Sequence, residues 1–357
     1  MRSSTHEIAA DNSGQTTLVR NWTRGSGSVS LSIIIVTYNG WHHLEPCLHS
    51  LMPQLETNDE IVVVDNGSSD STQEGIATIA DPRIRCCSQS KNLGFAAANN
   101  IGATNSSRDW ILLLNNDTIA TAGFIDGLRD AASRYSEYKI FSCKMIRMSD
   151  RRIDNVGIAV TSPLLRQVQL GPGSDPQAYT ESMEVFGASG GAMLVHRSVI
   201  QDIGLFDFRF FAYCEDVEFA LRARLAGYRC RFVPNASVLH TQCATGSQMP
   251  GLRLYYIQRN MELALFRNLP LRELIRYAAP HFIYSSFQVF RWMLRGQGIR
   301  ALRAKIDALR MWRLMRASRG PMRITRRTFH NELRGIFTGS ADMHHISEQT
   351  VQEEAVG

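Results

Sequence analysis

The sequence predicts an α/β fold, a mostly parallel sheet flanked by helices and followed by a C-terminal amphipathic helical extension. Three observations predict it. From residue 31 to 117, short β-branched or leucine-rich runs alternate with helix-length segments, the rhythm of right-handed strand–helix–strand crossovers. Polar clusters stand at the ends of three of those runs, where ligands gather in open parallel sheets. Beyond Leu252 the strand signal stops, and apolar and arginine-rich stretches recur to about residue 319.

The elements follow in order. LSIIIVT (31–37) is a continuous β-branched run, as a strand buried on both faces requires. Trp41–Leu51 carries Leu44, Leu48 and Leu51 at helical spacing, with Pro53 as its stop. EIVVVD (60–65) is a second buried strand, broken by the turn and cap residues NGSSDST. RIRCCSQ (83–89) is a shorter third strand, and GFAAANNIGAT (94–104) a helix of small residues that packs closely on a sheet. WILLLNND (110–117) is the fourth strand. Further strands are expected over KIFSCKMIR (139–147) and 153–160, then a polar loop at 171–177. VFGASGGAMLVHR (185–197) sets small residues between apolar runs and allows close backbone approach to a partner group. A helix begins at Glu215 with Val217, Ala220, Leu221 and Leu225 on one face, and the strand-like SVLH ends at His240. The resulting division is a flexible leader over 1–30 and an α/β domain over 31–252, with halves 31–120 and 121–252. A basic helical extension spans 253–337, and a disordered tail 338–357.

A hydrophobic content of 44% with 20% charged residues supplies a sizeable core. Seven cysteines without regular spacing or a C-x-x-C pair argue against a disulfide framework or a zinc site. The first thirty residues lack the apolar core of a secretory signal. No stretch reaches the about 18 uncharged apolar residues of a membrane span. The expected location is therefore the cytoplasm, peripheral on the cytoplasmic face of the inner membrane. The net charge of +6 is unevenly placed. Between Arg291 and Arg327 stand twelve Lys or Arg and one acid, Asp307, a net of +11 that leaves −5 for the rest.

Three clusters carry candidate chemistry. In VVVDNGSSDST, Asp65 at a strand end can accept hydrogen bonds from a base or ribose, while serines and backbone amides approach phosphate; a helix N-cap is the plainer reading. In NND, Asp117 can bind a divalent ion, Mg²⁺ or Mn²⁺, with Asn115 and Asn116 supporting, though a plain turn uses the same residues. In FDFRFFAYCED, Glu215 and Asp216 start a helix beside Phe206, Phe208, Phe210, Phe211 and Tyr213. Such an aromatic setting suits sugar stacking and raises a carboxylate's pKa toward general-base work, whereas the helix dipole alone also favours acids there. His240 supplies a further ligand if it meets Asp117.

Taken in order, SIIIVTYNG, VVVDNGSSDST, KNLGFAAANN, LLLNNDT, GASGGAMLVHR, IGLFDFRFFAYCEDVEFALRARLAGY and PNASVLH resemble the family 2 glycosyltransferases of GT-A fold, in their bacterial rhamnosyltransferase-like branch. The resemblance covers about residues 31–262, with YYIQRN (255–260) as a further element. It implies an inverting transfer of a sugar, rhamnose or another deoxyhexose, from a nucleotide-diphosphate donor to a glycan or lipid-linked saccharide. Thr37, Tyr38 and Asn39 match the strand end lining the nucleotide pocket, Asp65 the acid that recognises the base, and Asn92 with Gly94 the neighbourhood of ribose and sugar phosphate. Asp117 takes the metal-ligand position of the family's D-x-D motif, Asp216 of the Glu215–Asp216 pair that of the catalytic base, and His240 that of a late metal-binding histidine. NND departs from the full motif and leaves a single carboxylate there.

The segment 271–319 has the composition of helices lying in a membrane interface. Trp292, Trp312, Phe282, Phe287 and Phe290 supply apolar faces beside arginines that anionic lipid attracts. Packing on the catalytic body or on a second copy of the chain is the competing reading. Nucleic acid is a weaker one, since no recognition motif accompanies the arginines. A dehydrogenase lacks its G-x-G-x-x-G fingerprint. A non-catalytic nucleotide-sugar-binding partner in polysaccharide assembly is the alternative to an enzyme.

Overall fold

The computed structural model describes residues 29–241, 251–325 and 328. Residues 1–28 of the expected leader and the expected tail at 338–357 lie outside the described residues. The first half contains strands β1 (Leu31–Thr37), β2 (Glu60–Asp65), β3 (Ile84–Ser88) and β4 (Trp110–Asn115), with helices α1 (Trp41–Leu51), α2 (Thr72–Thr78) and α3 (Phe95–Asn105) between them. β1 pairs in parallel with both β2 and β4, and β2 with β3. Side chains along these strands alternate between two cores. Ile33, Ile35, Leu112 and Leu114 pack toward α1, and Ile34, Val62, Val64 and Leu113 toward α3. Small residues on α3 bring it close to the sheet: a Cβ added at Gly102 would overlap the Ile34 side chain.

The second half adds β5 (Thr118–Ala120), α4 (Phe124–Arg134), β6 (Ile140–Arg147), β7 (Ile153–Asn155), β8 (Gly157–Thr161), β9 (Arg166–Leu170) and β10 (Glu184–Val185). β11 (Ala192–His196), α5 (Arg197–Ile203), α6 (Glu215–Leu225) and β12 (Cys230–His240) complete it. The sheet runs β10-β12-β6-β11-β4-β1-β2-β3, and β8 and β9 form a separate hairpin. β11 lies antiparallel to both β4 and β6, so β6 and its parallel neighbour β12 regain the direction of β4. Thr37, Asp65, Asn115 and His240 thereby finish on one edge. The strand signal over 153–160 corresponds to β7 and β8, which meet at Val156.

Helix α6 is buried all round, instead of on one face. Within it Arg222 Nη2 pairs with Glu218 Oε2 at 2.7 Å and donates to Leu205 O at 2.6 Å; Arg224 donates to Phe186 O at 2.9 Å and Glu184 Oε1 at 2.7 Å. Bidentate arginine pairing is what makes these charges tolerable inside. The extension is helical as expected: α7 (Leu252–Asn268), α8 (Leu271–Leu294), α9 (Gly298–Arg310) and α10 (Trp312–Ala317). Among the described residues no helix is long and apolar enough to cross a membrane.

Candidate active site

A cavity of about 410 Å³ opens at this carboxyl edge of the sheet, within the usual size range for small-ligand sites. It brings together Tyr38, Asn92, Gly94, Asn115, Asn116 and Asp117 from the first half with Glu215, Asp216 and His240 from the second. The topology explains why residues so distant in sequence meet. β5 pairs with β12 so that Thr118 stands opposite His240, and Thr241 N donates to Asp117 O at 3.0 Å.

His240 sits between two carboxylates. Its Nδ1 lies 2.7 Å from Asp154 Oδ2 and its Nε2 3.2 Å from Asp117 Oδ1, with Asn115 Nδ2 3.4 Å from the same nitrogen. Burial pulls the imidazole pKa down, but the hydrogen bonds and charges of Asp117 and Asp154 outweigh it and raise the pKa to about 10. The set fits a divalent ion. Asp154 accepts a hydrogen bond from Nδ1–H and orients the ring, so that Nε2 and the Asp117 carboxylate face one corner, where an ion would displace the Nε2 proton. Among the described residues no three His, Cys, Asp or Glu side chains form a complete ligand set. The donors present therefore suit an ion shared with a ligand's own oxygens.

On the opposite wall, the loop before α6 carries three non-glycine residues with left-handed backbone, Phe211 (φ 63), Tyr213 (φ 70) and Cys214 (φ 61). Such conformations each cost on the order of 1 kcal/mol and persist where the surroundings impose them. Buried Asn260 on α7 imposes them here: its Nδ2 stands 2.8, 2.9 and 2.7 Å from the carbonyls of Phe210, Ala212 and Tyr213. The loop delivers Asp216 to the cavity, where Oδ2 accepts from Gly190 N at 3.1 Å and Oδ1 from Val217 N at 2.8 Å. The glycine-rich stretch 187–191 thus makes its close approach to this carboxylate. Burial raises the Asp216 pKa, against those backbone amides, which favour the anion. Glu215 is buried and its Oε2 has no hydrogen-bond partner among the described residues. Burial first, and the Asp216 charge second, push its pKa well above the usual carboxylate range.

Three expected nucleotide-pocket residues lie behind the lining. Thr37 is buried and takes a hydrogen bond from Asn116 Nδ2 at 3.1 Å. Asn39, with φ 48, accepts from Ser69 N at 2.7 Å. Asp65 is fully buried and accepts from Ser68 N at 3.1 Å and Gln73 Nε2 at 2.5 Å, so its carboxylate shapes the 66–72 loop. The aromatic cluster also divides. Phe211 and Tyr213 line the cavity, whereas Phe206 and Phe210 are buried in the core and Phe208 is exposed on the outside.

Several cavity residues escaped the sequence reading. Asp154, which holds His240, sits in an unremarkable IDN with no signal. Asn66 interlocks with Asn92, Nδ2 to Oδ1 at 3.0 Å, and could have been found beside Asp65. Tyr256 stacks on Phe211 with centroids 5.2 Å apart and, with Arg253, comes from α7; YYIQRN was its signal.

Comparison with known proteins bears on the family and the fold. The model of a family described as Glycosyl transferase family 2 matches residues 32–204. The N-acetylglucosaminyl-diphospho-decaprenol L-rhamnosyltransferase of Mycobacterium tuberculosis is 31% identical over 255 residues, spanning 63% of this chain and 80% of that protein. The low-salt glycan biosynthesis hexosyltransferase Agl10 of Haloferax volcanii is 30% identical over 204 residues, 54% of this chain and 61% of its own. Among solved structures, S. aureus TarS 1–349 superposes with a TM-score of 0.53 over 86% of this chain and 92% of that one, at 17% identity. GalNAc-T7 with UDP, GalNAc and Mn²⁺ does so with 0.55 over 68% and 48%, also at 17% identity. Both likenesses concern the fold.

Proposed function

The chain belongs to glycosyl transferase family 2, and from that premise we propose that it is an inverting enzyme acting on a nucleotide-diphospho-sugar and a lipid-linked saccharide. Its fold is the GT-A fold expected from the sequence. The observation that carries the reading is one cavity with two unlike ends. Asp117, His240 and Asp154 form one end, and Asp216, held by Gly190 N and Val217 N, forms the other.

In this reading Asp216 accepts the proton of an acceptor hydroxyl. That oxygen bonds to the anomeric carbon while the bond to the diphosphate breaks and its electron pair leaves with the diphosphate. One positioned carboxylate suffices, since no sugar–enzyme intermediate forms. Asp117 and His240 would hold Mg²⁺ or Mn²⁺, which neutralises the leaving diphosphate; the imidazole donor favours Mn²⁺ of the two. Tyr38, Asn66 and Asn92 face the nucleotide, and Thr37, Asn39 and Asp65 brace the loops behind it. Rhamnose or another deoxyhexose is the proposed donor sugar and a saccharide on a lipid diphosphate the acceptor, by analogy with the mycobacterial relative's name.

A lipid-linked acceptor requires contact with a membrane, and the segment 271–319 is the proposed site, on the cytoplasmic face. Its exposed surface supports this. Ile275, Phe282, Ile283, Phe287, Phe290 and Leu294 of α8 face outward, while Glu273, Tyr277 and Gln288 are buried. A helix with polar residues inward and apolar residues outward suits a lipid interface, and its flanking arginines suit anionic headgroups.

The test is a thermal-shift and hydrolysis panel. Rhamnose, glucose, galactose, mannose and N-acetylhexosamine, each on thymidine, uridine or guanosine diphosphate, are offered with Mg²⁺ or Mn²⁺. Metal-dependent hydrolysis of one member is expected. Binding without turnover would leave a nucleotide-sugar-binding partner, and silence across the panel would remove the reading.

A further inference from the structure

Folded proteins leave few buried polar side-chain atoms unpaired, because each forfeits its hydrogen bonds to water without replacement. Two residues of the catalytic cavity do so. Asn155, at the end of β7, is 2% exposed, and neither its amide oxygen nor its amide nitrogen has a hydrogen-bond partner among the described residues. Glu215, 5% exposed, has the unpartnered Oε2 already described. Both line the cavity, as do Gln167 and Gln169 of β9. The hairpin register puts Gln167 opposite Val160 and Gln169 opposite Ile158, so the two amides share one face of β9. Gln167 is tied to the catalytic loop, since Cys214 Sγ donates to its Oε1 at 3.3 Å.

We propose that Asn155, Gln169 and Glu215 form the subsite that takes the acceptor's neutral pyranose ring; this rests on the glycosyltransferase reading above. The chemistry matches. A side-chain amide offers one donor and one acceptor edge, the complement of adjacent sugar hydroxyls or of an acetamido group. Glu215, held toward its protonated form by burial and its neighbour, offers an O–H donor and an acceptor oxygen to a sugar hydroxyl. Placement favours the acceptor over the donor. Glu215 adjoins the proposed base, Asp216, and Gln169 comes from the β8–β9 hairpin, outside the main sheet whose edge carries Asp117 and His240. Asn155 ends β7, which pairs with β6 of that sheet, and the next residue, Val156, donates its N–H to Leu170 O at 3.0 Å, beside Gln169. An acceptor must reach Asp216, and Gln167, on the same face of β9 as Gln169, is joined to the loop that carries Asp216 through Cys214 Sγ.

The experiment uses full-length protein, the nucleotide sugar that responds in the panel, and a short-alkyl diphospho-N-acetylglucosamine as acceptor probe. Asn155→Leu and Gln169→Ala are compared with wild type for acceptor KM, donor affinity, donor hydrolysis without acceptor, and Tm. The expected result is a ten-fold or greater rise in acceptor KM for each, with donor affinity and acceptor-free hydrolysis unchanged. For Asn155→Leu, Tm is expected to hold or rise, because an unpaired buried amide is removed; a merely structural Asn155 would instead lower Tm and leave KM alone. Parallel loss of donor affinity would assign the wall to the donor sugar and overturn the proposal, as would unchanged acceptor KM. If wild type hydrolyses no donor at all, the glycosyltransferase reading fails first and takes this one with it, an outcome distinct from the other two.

Discussion

Replacing Asp216 with Asn separates catalysis from binding. The carboxylate accepts from two backbone amides, Val217 N at 2.8 Å and Gly190 N at 3.1 Å. An asparagine keeps one acceptor oxygen, which the shorter bond to Val217 retains, and turns its NH₂ toward the Gly190 N–H. One hydrogen bond is lost and two donors oppose each other, a cost of about 1–3 kcal/mol that a folded domain of this size tolerates. The chemical effect is larger. General bases contribute typically 10²–10⁴-fold, or about 3–5 kcal/mol of barrier, and the amide accepts no proton. The expected result is a fall in kcat of at least about a hundred-fold, with donor affinity, measured by calorimetry in the absence of acceptor, within a factor of about two. Burial raises the Asp216 pKa, so the acid limb of the wild-type pH–rate profile should fall above the usual aspartate range, and the residual activity of the variant should lose that limb. Retention of activity within ten-fold of wild type would refute the assignment of the base. So would a parallel loss of donor affinity, which would make Asp216 a donor-binding residue.

Asp154→Asn should weaken Mn²⁺ affinity by about 10–100-fold, because His240 loses the anion that fixes its ring; titration of the ion against protein saturated with nucleoside diphosphate measures it, and an unchanged affinity would exclude Asp154 from orienting His240. Glu218 is buried, and despite that burial Arg222 and Arg267 hold its pKa at about 2, below the ordinary 4.5. Its folded pKa is depressed, so its contribution is present in full above pH 4.5 and is lost as pH falls toward 2. Glu218→Gln should therefore cost about 3–5 kcal/mol in urea unfolding at pH 7, and the deficit should shrink at pH 3; an equal deficit at both would disprove the linkage. Phe282→Ser with Phe287→Ser, both exposed on α8, should lower partitioning onto phosphatidylglycerol vesicles roughly thirty-fold, at about 1 kcal/mol for each half-exposed ring. Undiminished binding, or binding that ignores salt and lipid charge, would count against the interfacial role of 271–319.

What the sequence made legible was local. Strands β1, β2 and β4 could be read because continuous β-branched or leucine runs end in turn residues, and α1 because its leucines repeat at helical spacing. The order of motifs carried the pairing of Asp117 with His240. Local pattern holds no information about β11, whose apolar run AMLV is the same whichever way the strand lies; its antiparallel insertion is a property of the whole sheet. The role of Asp154 was hidden for a related reason. Its carboxylate acquires meaning only when β7 lies beside β6 and β12 brings His240 to it. At Asp65 the strand-end carboxylate accepts from Ser68 N and Gln73 Nε2, contacts that exist only once the 66–72 loop is folded. The aromatic cluster divided because consecutive residues of a tight loop point in different directions, a distinction that needs the left-handed backbone at Phe211 and Tyr213.

The helical extension joins the two halves of the reading. Composition sets its beginning at residue 253, yet Arg253, Tyr256 and Ile257 of α7 line the cavity and Asn260 holds the loop before α6. On the outward side of the same helix, Glu262 accepts from Lys305 of α9 at 2.7 Å and from His281 of α8 at 3.0 Å, while His281 Nδ1 donates to Leu164 O at 2.7 Å in the β8–β9 turn. Both imidazole nitrogens face acceptors, and the Glu262 interactions raise the His281 pKa against its burial. This polar knot lies beneath the exposed apolar face of α8 and fixes that face relative to α7 and to the hairpin carrying Gln167 and Gln169. A membrane that seats α8 would therefore set the orientation of the cavity wall as well. Truncation after residue 262 would confound the two roles, since Leu263, Ala264 and Leu265 belong to the core. Substitutions confined to the exposed face of α8 keep them apart: they should abolish transfer to a long-chain lipid acceptor in vesicles while leaving transfer to the short-alkyl acceptor intact.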